Sequence, residues 1–153
     1  MTTRNRMGST SQLIDIYDRL YQFYGPQHWW PADSHLEMLV GAVLTQNTNW
    51  QNVRKAIDTL RGEGLLSFEA LNSLPVAHLA ILIKSSGYYN LKAARLKNLL
   101  LMIEDDYGGS LDSLLESDLL SARESLLSVK GVGPETADSI LLYAGNHPVF
   151  VVD

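Results

Sequence analysis

The segment Leu126–Ala144, LLSVKGVGPETADSILLYA, constrains this chain more than any other. Two apolar helical patterns meet there across Gly131-Val132-Gly133, and Pro134 opens the second of them. Glycines permit positive φ and the close approach of another backbone, and a proline presets the first turn of a helix. Val132, between the glycines, is placed to tuck into the core and stiffen the turn. The free amides at the second helix's N-terminus, with its partial positive charge, suit a phosphate, and Lys130 can add a point charge. A bare helix–helix turn without a ligand can also use glycines. The joint occurrence of both glycines, the proline and two apolar helices favours a helix-hairpin-helix over residues 120–144 that grips a sugar-phosphate backbone. Past the second helix stands a carboxylate, Asp153.

The length of 153 residues suits one domain with a sizeable core. The formal net charge of −5 argues against a protein that wraps nucleic acid through bulk electrostatics. On its own it fits an acidic domain with no nucleic-acid role. It leaves open binding through backbone amides and a local basic stripe. With no cysteine there is no disulfide, no thiolate zinc site and no iron–sulfur cluster in this chain. His28, His35, His78 and His147 are scattered and match no ligand spacing, so no metal site is expected from side chains. No apolar run is long enough for a membrane span. Met1–Ser11 is polar and lacks an apolar signal core, which predicts a cytoplasmic protein, in a bacterium one associated with the nucleoid.

Helical periodicity dominates the rest. After a polar tail over 1–10, Leu13, Ile14, Tyr17, Leu20, Tyr21 and Tyr24 recur at three and four, predicting an amphipathic helix over 11–24 that Gly25-Pro26 ends. Ser34 with Glu37 forms a capping box. The helix it opens, 35–45, is apolar nearly all round and is expected to be buried at the centre. Asn49 caps a helix over 50–61. Shorter helices follow at 68–73 and 75–85, the second with Pro75 at its first position. Asn90 is expected to cap a long helix over 91–107, and helices over 119–128 and 134–144 complete the set. Val149–Val152 has the look of a strand without a partner. The fold class expected is all-α, eight or so helices, with 11–153 as one domain and 34–144 as a helical barrel.

Three segments carry a resemblance: LLSVKGVGPETADSILLYA with Asp153, WWPADSHLEMLVGAVLTQNTNW at 29–50, and SGYYNLKA at 86–93. Together they resemble the helix-hairpin-helix, Gly/Pro-rich-loop and aspartate (HhH-GPD) superfamily of endonuclease III-like DNA glycosylases. The segment at 29–50 looks closer to the 3-methyladenine glycosylase branch. The resemblance runs from about Leu13 to the end. It implies an endonuclease III-like six-helix barrel and a base-excision repair enzyme acting on double-stranded DNA that contains a damaged base.

The site residues follow from the same resemblance. Asp153 matches the catalytic aspartate, which stabilises positive charge on the sugar or deprotonates a water. Bifunctional relatives carry a lysine just after the hairpin, whose amine forms a Schiff base. Glu135 stands at that position and cannot form one, which implies a monofunctional hydrolase. The alternatives are a glycosylase that is also a lyase, and a DNA-binding module without chemistry. Trp30, Pro31 and Trp50 match stacking positions for a flipped base, and tryptophan faces attract a cationic alkylated purine. Trp29 is expected in the core. Gln46 and Tyr88 match residues that fill the gap left by the base; a helix cap and an ordinary packed aromatic are the plainer roles. The segment Val129, Lys130, Gly131, Val132 and Gly133 would meet the DNA backbone, with a monovalent cation among its carbonyls. Lys84, Lys92 and Arg95 can reach phosphates near Tyr88 or form a solvated face. The family's chain continues past the aspartate into a segment that packs on the N-terminal helix, here 11–24, to complete a second lobe, and that lobe is expected to be largely absent here. A weakly active fragment, with the first helix exposed and prone to self-association, is the expectation.

Overall fold

The computed structural model describes residues 7–152, with side chains from Thr10 onward. The chain divides into two compact units, Met1–Pro31 and Ala32–Asp153. In the first, α1 (Met7–Tyr24) starts four residues earlier than the periodicity implies. It ends where Gly25, at φ 69°, donates its N–H to the Tyr21 carbonyl. Leu13, Tyr17, Leu20 and Tyr24 are all more than half exposed. Trp29 is 71% exposed, so its place is not the core assigned to it by its hydrophobicity.

The second unit is built round α2 (His35–Leu44), whose Leu39, Val40, Val43 and Leu44 have no exposed surface. Burying each such side chain stabilises by about 1.5–3 kcal/mol, so an all-round apolar helix has to be central. It packs on α3 (Trp50–Gly62), α6 (Tyr89–Tyr107), α7 (Leu111–Leu115) and α9 (Pro134–Tyr143). The shorter α4 (Phe68–Ser73) and α5 (Val76–Leu82) lie against α6, and α8 (Leu119–Ser128) pairs with α9. Among the described residues the fold is all-helical, and no helix is long and apolar enough to cross a membrane.

Four local expectations are corrected. Only half of the capping box forms: the Ser34 hydroxyl accepts from Glu37 N at 3.1 Å, but the Glu37 carboxylate turns to Arg61 Nη2 at 2.8 Å. Arg61 also reaches Asp33 and Asp58, and its bond to Glu37, with the charges of all three carboxylates, raises its already high pKa. The helix expected over 75–85 breaks after Leu82 into a 3-10 turn, Lys84–Ser86, and Pro75 is its N-cap rather than its first residue. Asn90 does not cap α6. That place belongs to Tyr88, which is left-handed at φ 42°, and Asn90 lies inside the first turn. Residues 149–152 form no strand, because a lone apolar run has no partner ladder.

Candidate functional site

The hairpin between α8 and α9 is held from four sides. Val129 and Val132 are buried at 6% exposure each, and Val132 N donates to the Val129 carbonyl at 3.0 Å. Asn98 Nδ2 donates to the Lys130 carbonyl at 3.2 Å. Gln46 Nε2 donates to the Gly131 carbonyl at 3.2 Å and to Thr136 Oγ1 at 2.9 Å. Arg123 braces α8 to α9 through Asp138, with Nε to Oδ1 at 2.7 Å and Nη2 to Oδ2 at 3.1 Å. That carboxylate raises the pKa of Arg123 further.

The two glycines do different work. Gly131 sits at φ 101°, and a methyl group on it would overlap Cγ, Cδ and Nε of Arg95. Gly133 is the N-cap of α9 in extended conformation, φ −97° and ψ 179°, with nothing within 4 Å of the space a side chain would fill. No side chain caps α9 there. The conformation does not require glycine at 133; its absent Cβ leaves the helix amides open to an approaching group.

That opening borders a cleft of about 780 Å³, lined by residues 45–48, Arg95 and residues 131–136. Arg95 Nη1 donates to Gln46 Oε1 inside it. The hairpin, Gln46 and Glu135 are therefore brought to one place, with Glu135 exposed on the first turn of α9. The cleft combines one guanidinium, one carboxylate and the positive end of a helix. Lys130 is exposed and borders a different hollow, of about 300 Å³, that Asp105 and Asp106 share. Trp50 is half-buried as the first residue of α3. Trp30 is half-buried and Pro31 exposed in the other unit. Tyr88 is 70% exposed in a left-handed conformation that bulky side chains rarely adopt. Asp153, assigned the chemistry, lies outside the described residues.

The basic cluster departs from its expected role. Lys92 is 1% exposed, and its ammonium donates to the carbonyls of Leu44 at 2.8 Å and Ser86 at 2.5 Å. Burial, then the charge of Arg95, lowers its pKa. It is neither a phosphate ligand nor part of a solvated face. The signal was present: Lys92 falls on the stripe of Leu96, Leu99, Leu100 and Ile103, all without exposed surface. Arg95 is half-buried under the hairpin. Asn98 and Thr136 were not singled out at all, since a single polar residue on a helix carries no spacing signal. Among the described residues, no group of three or more acidic or histidine side chains is arranged to hold a metal ion.

A model of the HhH-GPD superfamily of base excision DNA repair proteins matches residues 40–153. The chain belongs to this superfamily. A Methanocaldococcus jannaschii protein provisionally named a DNA repair glycosylase is 48% identical over 142 residues, which cover 92% of this chain and 64% of that protein. Endonuclease III of Thermotoga maritima is 32% identical over 76% of this chain and 50% of its own length. Among solved structures, the 3-methyladenine DNA glycosylase of H. pylori bound to 1,N6-ethenoadenine superposes with a TM-score of 0.77. It is 34% identical, and the match covers 93% of this chain and 66% of that one. A trapped endonuclease III–DNA covalent intermediate superposes with a TM-score of 0.73 at 23% identity, a likeness of fold, over 100% of this chain and 65% of that one. The chain thus spans about two thirds of the length of the M. jannaschii protein and of these two structures.

Proposed function

We propose that this chain grips one strand of a damaged duplex at its hairpin, everts a base and hydrolyses the N-glycosidic bond, as a monofunctional glycosylase for alkylated purines. The observation that carries the reading is the cleft beside Gly133. Its lining holds an open helix N-terminus, Arg95 and Glu135, and no lysine. A phosphate suits the open amides, and no amine stands there to attack the sugar. The H. pylori neighbour, a 3-methyladenine glycosylase seen with an ethenoadenine, supports the alkylated-purine class.

In this reading the segment 129–133 contacts the DNA backbone, with the amides beyond Gly133 as donors. Trp50 stacks the flipped base, where its π-face attracts a cationic purine. Gln46 and Tyr88 fill the vacated stack. Asp153 stabilises the cationic sugar as the bond to the base breaks, and water takes the sugar carbon. A monovalent cation, in this reading, would take hairpin carbonyl oxygens as its ligands. The Lys130 and Gly131 carbonyls each accept one amide hydrogen bond, from Asn98 and Gln46, and each keeps a second lone pair.

The test is release of 3-methyladenine or 1,N6-ethenoadenine from duplex DNA by the chain, set beside Asp153→Asn and a borohydride trap. Base release that Asp153→Asn abolishes, with no trapped adduct, is expected. A borohydride-trapped covalent adduct would make the enzyme bifunctional and overturn the argument from Glu135. Duplex binding with no release of either base, by this chain and by one extended past Asp153, would leave a DNA-binding module and overturn the catalytic part of the reading.

A further inference from the structure

The first turns of α6 hold a buried ammonium that the proposed chemistry does not use. We infer that Lys92 is a positioning residue that fixes the spacing of the two loops which enter the DNA, one carrying Gln46 and the other Tyr88. The inference rests on the proposed role of those two side chains.

Leu44 is the last residue of α2, so its carbonyl has no partner within the helix. Ser86 closes the 3-10 turn that precedes Gly87. One ammonium holds both carbonyls, at 2.8 Å and 2.5 Å. Gln46 follows the first carbonyl by two residues and Tyr88 follows the second by two. A single atom therefore ties the roots of both loops. Among the described residues no carboxylate pairs with Lys92 at ion-pair distance. An ammonium buried without a counter-charge is costly, and a methionine would fill the same volume without that cost. What a methionine cannot supply is a charge-assisted bond to two separate loops at once. The Tyr88 loop needs such an anchor: Gly87 and Tyr88 both have positive φ, at 68° and 42°, and backbone in that region persists only where its surroundings hold it.

The experiment uses the full chain and a mismatched duplex with 2-aminopurine, whose fluorescence rises as the stack opens. Lys92→Met is compared with wild type in two backgrounds, native and Gln46→Ala/Tyr88→Ala, at a temperature where circular dichroism shows each variant folded. In the native background Lys92→Met is expected to reduce opening by about tenfold while the Kd for the duplex shifts by less than about threefold. In the double-alanine background it is expected to change opening by no more than about twofold, because the side chains it positions are gone. Equal loss in both backgrounds would mark a general structural role and overturn the inference; so would unchanged opening in the native background. Amide hydrogen exchange without DNA provides an independent readout. Segments 45–48 and 86–88 should exchange faster together in Lys92→Met while 129–133 does not, and a change in one loop alone would overturn the inference. Should Lys92→Met fail to fold, Lys92→Gln, which keeps a shorter donor, is measured in the same way. If that also fails, Lys92 is a folding residue and the inference falls. Failure of the wild type to open any duplex would instead overturn the proposed function, leaving the exchange result to stand or fall by itself.

Discussion

Replacing Gly131 with alanine separates what the hairpin needs in order to fold from what it needs in order to bind. At φ 101° an L-residue is strained, and a strained backbone position costs on the order of 1–3 kcal/mol. The new methyl group also falls on Cγ, Cδ and Nε of Arg95. That side chain is held in mid-stem and cannot swing only its tip, so its hydrogen bond to Gln46 is lost. A hydrogen bond made by a charged group contributes about 1.5–3 kcal/mol. Gln46 then also loses part of its hold on the Gly131 carbonyl and Thr136. With some relaxation, Gly131→Ala is expected to destabilise by about 3 kcal/mol, a fall in Tm of about 6–12 °C for a domain of this size. The control is Gly133→Ala. Its φ of −97° is open to any residue, and the side-chain space is empty. A modest loss of N-cap preference is offset by lower entropy of the unfolded chain, so its Tm should move by less than about 2 °C. Its methyl group would stand in front of the α9 amides, so affinity for duplex DNA should fall by about tenfold. Thermal denaturation by circular dichroism and DNA binding by fluorescence anisotropy read the two effects. A Gly131→Ala protein that melts within about 2 °C of wild type would refute the steric argument. A Gly133→Ala protein that binds DNA as wild type would refute the claim that these amides are the grip.

Two further outcomes follow from the braces of the fold. Arg123→Ala strands the Asp138 carboxylate, whose side chain is only 11% exposed. Because Arg123 itself is 36% exposed, the fall in Tm is expected to be smaller than for a fully buried pair. Adding Asp138→Asn should recover part of the lost Tm, and further loss on adding it would contradict the pairing. Asp118 caps α8, and its hydrogen bonds to Ser121 hold its carboxyl pKa below the ordinary 3.8. A depressed carboxyl pKa stabilises the fold fully above the unfolded value, and the effect is lost as pH falls through the folded one. Urea midpoints should therefore drop below about pH 4 more steeply for wild type than for Asp118→Asn, which caps without titrating. Parallel pH curves would refute this.

The sequence showed the elements whose signals are local and lost those set by partners. Ser34 and Asn49 cap the helices that their side chains suggest, each accepting a backbone N–H three residues on. The hairpin was readable because two glycines and a proline have few other uses in so short a span. The break at Ile83 was not, because 75–85 reads as one periodic run, and the 3-10 turn that follows the break packs on α3. Tyr88 as a left-handed N-cap contradicts its own propensity, and no one-dimensional pattern announces a residue that tertiary structure holds in strain. Lys92 was misread for a related reason. Residue type argued for the surface and periodicity for the core, and a carbonyl pair separated by 42 residues decided between them.

The acidic composition and the proposed DNA grip are reconciled by the two sides of the hairpin. On one side lie Arg95, Glu135 and the N-terminus of α9; on the other, the single cation Lys130 stands with the two acids Asp105 and Asp106. A phosphate nearing the hairpin meets a favourable field at the α9 end and an unfavourable one across the α6 end. Net charge of −5 sums both sides and so hides the difference. A contrast between charges closer than the Debye length, about 8 Å at physiological salt, is only partly screened. Binding through amides and one guanidinium, as proposed, needs no positive surplus over the whole chain.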